Sequence, residues 1–181
     1  MKVDIFNTNN KYKIIYADPA WSYKQAGGGA AKNHYRTTPT EEMMKLPIKQ
    51  IKTDDAVCFM WATFPTILDA FKLMEAWGFH YKTAAFVWVK KNKNGSNFWG
   101  MGQYTRANAE VCLLGISDAT RAQKTIIAHD VHQIIESVIG RHSEKPTEAR
   151  DRIVKLMGDC PRIELFARQY AEGWDCWGDE V

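Results

Sequence analysis

Lys13-Ile14-Ile15-Tyr16-Ala17-Asp18-Pro19-Ala20-Trp21 is a short apolar run halted by an Asp-Pro step. Such a run reads as a buried strand that hands its last side chains to a loop. Ser22 to Arg36 continues as that loop, with Gly27, Gly28 and Gly29 allowing close approach or movement. Thr38-Pro39-Thr40-Glu41 then has the pattern of a capping box with Pro at the first helical position, opening a short helix through Lys45.

Working outward, the same strand signal recurs at Ala56–Trp61, Phe79–Val89, Glu110–Ile116, His132–Val138, Arg162–Ala167 and Trp174–Trp177. Pro65–Trp77 and Pro146–Met157 read as helices, each stopped by a glycine, Gly78 and Gly158. Lys90 to Ala107 reads as a long polar loop bearing glycines and aromatics, a kind of segment that is usually functional or disordered. Strands alternating with helices imply an α/β fold with a mostly parallel central sheet covered by helices on both faces. Ligands in such sheets sit beyond the carboxyl ends of the strands, where Asp18, Arg168 and Asp179 fall. No repeat or Ser/Pro linker divides the chain, so residues 1–181 are expected to form a single catalytic domain.

With 45% hydrophobic and 12% aromatic residues in 181, the composition is that of a globular domain and excludes a disordered or fibrous chain. No apolar run reaches the length of a membrane span, and Met1 to Asn10 lacks a secretory pattern, so a soluble cytoplasmic protein is expected. Cys58, Cys112, Cys160 and Cys176 form no CxxC pair, which argues against a zinc site or a disulfide framework. The net charge of +3 is unevenly spread. Lys24, Lys32 and Arg36 lie in one acid-free window, and Lys82, Lys90, Lys91, Lys93 and Arg106 in another. These eight positive charges leave −5 on the rest of the chain, a split that suits a polyanion meeting two basic surfaces.

Several chemistries are absent. The glycine cluster is not followed by the Lys-Ser/Thr of a P-loop, no GxGxxG occurs, and His129 and His132 lack further ligands at metal-binding spacing, so no metal is expected. There is no GxSxG, and no cysteine has a neighbouring histidine to activate it. What remains is Asp18-Pro19-Ala20-Trp21. Its plain reading is an Asx-type turn whose Trp21 packs into the core. Its chemical reading is a carboxylate and a carbonyl held by a rigid proline beside an aromatic face, a set of acceptors for a planar base bearing an amine.

The sequence around that tetrad resembles a known family. Tyr16-Ala17-Asp18-Pro19-Ala20-Trp21, then Asn33-His34-Tyr35, Ser143-Glu144-Lys145-Pro146, Ile163-Glu164-Leu165-Phe166-Ala167-Arg168 and Trp174-x-x-Trp177-Gly178-Asp179-Glu180 follow the order seen in MT-A70-like adenine N(6)-methyltransferases, with a bacterial or phage DNA enzyme as the expected type. The likeness runs from Ile15 to Glu180. It implies a Rossmann-like methyltransferase fold, S-adenosylmethionine as methyl donor, and transfer to the N(6) amine of adenine in nucleic acid, DNA more than RNA. By the resemblance, Asp18 and the Pro19 carbonyl accept from the amine, and Trp21 packs against the base. Asp18, Lys145, Glu164, Phe166, Arg168, Asp179 and Glu180 match positions at the cofactor. His34 and Tyr35 would help enclose the base. Ala20 departs from the family's usual second proline, which leaves the turn less stiff but keeps both acceptors. Asp179 stands where the family has Asn; it adds charge and still accepts ribose hydrogen bonds.

A duplex target must be unstacked to reach such a site. The segment holding Lys90, Lys91, Lys93, Trp99 and Arg106 has the cations for phosphate and the rings for stacking. Two other readings compete. One is a catalytically silent nucleic-acid-binding subunit of the same fold, against which the retained Asp18 argues. The other is a methyltransferase acting on RNA, a protein amide or a small molecule. The recognition sequence and any homo- or hetero-oligomer stay open at this level.

Overall fold

In a computed structural model, residues 1–22, 37–102, 104–119, 126–140 and 144–181 are described. Seven strands run β1 (Tyr12–Ala17), β2 (Lys52–Ala62), β3 (His80–Lys91), β4 (Ala109–Ile116), β5 (Ile134–Val138), β6 (Arg162–Leu165) and β7 (Asp175–Trp177). They form one sheet in the order β5-β3-β4-β2-β1-β6-β7. β1 pairs in parallel with both β2 and β6, β6 with β7, and β3 with β5, while β4 is antiparallel to β2 and β3. The sheet is therefore mixed. One reversed strand, β4, enters between six that share a direction, because β3 and β4 connect through the 92–108 excursion instead of a crossover helix.

The described helices are α1 (Thr40–Met43), α2 (Ile48–Ile51), α3 (Ile67–Ala76, entered through a 3₁₀ turn at Phe64–Thr66) and α4 (Glu148–Met157). β1 shows why the layers form. Ile15 and Ala17 face one core with Met43, Ile48, Leu73 and Trp77 of the α1–α3 side, and Ile14 and Tyr16 face a second core with Ala149 and Ile153 of α4. All four β1 residues are at most 1% exposed, which is the continuous apolar pattern of a strand covered on both faces. Helices thus lie on both faces, as expected.

Several boundaries differ from the sequence reading. β2 begins at Lys52, before the apolar run, since Lys52 already pairs with Tyr12 of β1 and the register shifts between there and Val57. β6 stops at Leu165, because Phe166 turns to φ 60° and leaves the extended region. The expected capping box at Thr38 does not form. Pro39 is the N-cap of α1 with no side-chain cap, and Thr38 instead bridges to Trp21 as its N–H donates to the Ala20 carbonyl at 2.9 Å. α2 was missed altogether, being a single turn between Pro47 and a strand.

The Lys90–Ala107 segment is not structureless. β3 continues to Lys91, a tight turn closes when Asn92 N–H donates to Ser96 C=O at 2.8 Å, and Gly100 pairs with Ala107 as in a hairpin. A Cβ on Gly100 would lie 2.4 Å from the Ala107 carbonyl, so the close pairing requires glycine there.

Candidate active site

The carboxyl ends of β1 and β6 lie side by side, Ala17 opposite Leu165, and the chain leaves both strands into one cavity of about 620 Å³. Asp18 and Ala20 form the β1 side of its wall, Phe166 and Arg168 the β6 side, and Trp177, Asp179 and Glu180 the β7 side. The wall after β6 is tightly built. Phe166 holds a left-handed backbone, and a Cβ at Gly178 would lie 2.3 Å from the Ala167 carbonyl, so Gly178 is what lets the two loops close on each other. Arg168 lies 3.5 Å from the Glu180 carboxylate.

Asp18 ends the strand with its carboxylate facing a lysine. The Lys145 ammonium lies 2.8 Å from Oδ1 and 2.9 Å from Oδ2, and 3.4 Å from the Glu110 carboxylate. Lys145 arrives from the segment that leads into α4, and Glu110 from the start of β4. Glu110 in turn pairs with Lys90 at the end of β3. Four charges of alternating sign are thereby strung across the ends of β1, β4 and β3 and the segment before α4, with side chains no more than 19% exposed. Indoles floor the two cations: Lys145 sits 6.0 Å from the Trp61 ring centre and Lys90 4.9 Å from that of Trp88. Such contacts offset part of the cost of desolvating an ammonium.

Electrostatics follow from this order. Burial pushes the Asp18 carboxyl above the ordinary carboxylate range, with Lys145 opposing it. Burial also acts on Glu110, but Lys145 and Lys90 together hold it below its ordinary value. Two carboxylates hold Lys145 protonated against its own desolvation. Cys58 and Cys112 are buried with raised thiol pKa values and offer no thiolate.

The other expected site residues divide into groups. Phe166, Arg168, Asp179 and Glu180 share the cavity with Asp18. Glu164 does not face it. Its two oxygens accept from Arg150 of α4 at 2.7 and 2.8 Å, and it is 5% exposed. Trp21 is 5% exposed, and its indole N–H donates to the Trp61 carbonyl at 3.1 Å, as in the reading that packs it in the core. The Pro19 carbonyl accepts the Trp21 backbone N–H at 2.8 Å. Lys91 is bound to Glu136 at 2.9 Å, whereas Lys93 and Arg106 are exposed and Trp99 is 74% exposed. His34 and Tyr35, with Lys24, Lys32 and Arg36, lie outside the described residues. Sequence reasoning passed over Glu110 and, in the cavity wall, Phe6 and the α1-side residues Glu42, Met43, Lys45 and Leu46. Glu110 carried a signal, as the acid that closes a cation-rich window; Phe6 carried none.

Among the described residues, no cluster of three or more His, Cys, Asp or Glu side chains is arranged to hold a metal, and no helix is long and apolar enough to cross a membrane.

A family model described as MT-A70 matches residues 12–180. The type II methyltransferase M.MunI of a Mycoplasma species is 35% identical, over 94% of this chain and 78% of its own length. An N(6)-adenosine-methyltransferase MT-A70-like protein of Arabidopsis thaliana is 24% identical, over 99% of this chain and 25% of its own length. The N(6)-adenine-specific methyltransferase METTL4 of Mus musculus is 25% identical, over 98% of this chain and 39% of its own length. The chain thus spans most of the first relative but well under half of the other two.

Proposed function

The chain belongs to the MT-A70 family and is an adenine N(6)-methyltransferase of nucleic acid, and from that premise we propose that its substrate is DNA, its methyl donor S-adenosylmethionine and its fold a Rossmann-like methyltransferase fold. The observation that carries the reading is Asp18, a half-neutralised carboxylate at the end of a central strand in the wall of a cavity large enough for a nucleoside cofactor. The 35% identity to a type II methyltransferase supports DNA over RNA.

The cavity residues fit the cofactor by their chemistry. Asp179 and Glu180 offer carboxylates to ribose hydroxyls, Phe166 and Trp177 offer aromatic faces, and Arg168 offers a cation to a carboxylate. Gly178 leaves the backbone bare where those loops meet. Glu164 acts from behind, tying β6 to α4 through Arg150. When bound, the cofactor supplies an electrophilic methyl group on a sulfonium.

The protein's task is to make a poor nucleophile adequate and to aim it. The lone pair of adenine N(6) is delocalised into the ring. Hydrogen bonds from the two N–H groups to Asp18 and to the Pro19 carbonyl localise it toward the methyl. Each acceptor already holds one partner, Lys145 and the Trp21 N–H, and each has lone pairs left for another. Holding the reacting atoms in line accounts for roughly 7–11 kcal/mol of barrier in favourable cases. The positive charge that grows on nitrogen is stabilised by the Asp18 carboxylate, and after transfer the amine releases one proton to water, so no separate strong base is needed beforehand. Lys145, shared with Glu110, keeps Asp18 ionised and in place until the amine arrives. Trp99, Lys93 and Arg106 on the 92–108 arm meet the nucleic acid outside the pocket, while the buried Trp21 shapes the site from below. The deciding experiment incubates the protein with labelled S-adenosylmethionine and matched DNA and RNA oligonucleotides, then analyses the nucleosides by mass. N(6)-methyladenine in DNA upholds the reading; label confined to RNA or protein overturns the choice of substrate.

A further inference from the structure

The aromatic lining of the cavity includes one ring from a distant part of the chain. Residues 1–3 lie along the edge of β7, where the Val3 N–H donates to the Cys176 carbonyl at 2.9 Å and the Cys176 N–H to the Met1 carbonyl at 2.8 Å, and residues 4–7 turn away from it. Ile5, 2% exposed, anchors this segment in the core. Its neighbour Phe6 points the other way, is 60% exposed, and lines the cavity. The turn that presents it is held by Asp4. The Asp4 carbonyl accepts the Asn7 N–H at 3.1 Å, and its carboxylate accepts the Asn7 side-chain amide at 2.6 Å and the Phe6 N–H at 3.0 Å. Those two carboxylate bonds, the Asn7 one foremost, lower the Asp4 pKa, so the brace is fully formed at neutral pH.

The Phe6 ring is edge-on to Trp177 with centres 6.4 Å apart, and Trp177 is edge-on to Phe166 at 5.5 Å. Three rings from three separate segments therefore border one cavity. Phe166 and Trp177 are packed into the fold; Phe6 leaves most of its surface in solvent, where it adds little to stability. A braced turn that holds an apolar ring at a cavity rim is built for a flat apolar ligand.

We propose that Phe6 is a cofactor-binding residue that covers the adenine ring of S-adenosylmethionine, with Asp4 as its positioning residue. The inference rests on the assignment of the cavity to that cofactor. The adenine is the flat, uncharged part of the molecule and takes the aromatic rim, whereas the charged amino-acid and sulfonium end takes Asp18 and Arg168.

Calorimetric titration of the full chain with S-adenosylmethionine and with S-adenosylhomocysteine tests it, with thermal melts confirming that each variant is folded. Phe6→Ala weakens both ligands about tenfold, the scale of one lost base–aromatic stack, and Phe6→Trp stays within about threefold of the parent. Asp4→Ala weakens binding by a smaller factor, and Asp4→Asn, which keeps an acceptor for the Phe6 N–H, restores it. If the parent protein binds neither ligand, the assignment of the cavity falls first. If the parent binds and Phe6→Ala binds equally well, the role of Phe6 alone is overturned. Binding by Phe6→Leu equal to the parent overturns stacking as its basis.

Discussion

Two buried ionic groups support the carboxyl ends of the strands, and they are built differently. Arg150 and Glu164 form a closed pair, two N–H groups on two oxygens at 2.7 and 2.8 Å, away from the cavity. Asp18, Lys145, Glu110 and Lys90 form an open chain, in which one ammonium is shared between two carboxylates and one end reaches the cavity wall. Glu164 faces away from the cavity, so the lone pairs its carboxylate keeps meet no ligand and the pair only holds elements together. Asp18 lies in the cavity wall, so the lone pairs left beside its two contacts with Lys145 can meet an incoming donor, and that lysine favours its charged form.

The largest test of that contrast is Asp18→Ala. Methyl transfer should fall by about 10³-fold or more, while calorimetry still detects cofactor binding. Activity near that of the parent would remove Asp18 from the chemistry. Next comes Arg150→Ala, which leaves Glu164 buried without a partner and should cost roughly 3–5 kcal/mol in urea unfolding. Replacing both partners with Met and Leu should recover most of that loss and leave cofactor affinity unchanged. If the double replacement abolished binding, Glu164 would be a ligand after all.

A third test uses pH. Glu110 has a folded pKa below its ordinary 4.5, so the stability it contributes is fully present above that value. This contribution disappears as pH falls through the lower, folded pKa. Glu110→Gln should therefore show a shallower loss of melting temperature than the parent below about pH 4.5; parallel curves would mean that Glu110 is not held by its two lysines. The smallest effect belongs to the arm. Exchanging both Lys93 and Arg106 for Ala should reduce the slope of log affinity for DNA against log salt by about two, whereas Lys91→Ala, already neutralised by Glu136, should barely change it.

The strands could be read from the chain because their apolar runs are continuous, as at Ile14–Ala17 and Ala56–Trp61, a pattern that needs no knowledge of neighbours. The start of β2 at Lys52 could not, since its pairing with Tyr12 of β1 is what begins the strand before the apolar run. The acid at the end of β1 was legible from its place between an apolar run and a proline. Its partners were not. Glu110 lies 92 positions and Lys145 127 positions away, and no periodicity links them. The arm was legible as a cation-rich, aromatic segment, but its hairpin pairing depends on Gly100 and Ala107 meeting across an intervening stretch.

By itself, the sequence determined the α/β class, the strand that ends in Asp18 and the ordered motifs shared with adenine methyltransferases, because each is written in residues that lie next to one another. Only the tertiary structure decided that β4 runs against its neighbours, that Glu164 faces Arg150, that Lys90 is spent on a buried ion pair and Lys91 on a surface one, and that a turn near residue 6 reaches the cavity. Those features depend on which distant segments the fold brings together, and for Glu164 and Lys90 burial sets the cost of leaving a charge unpaired.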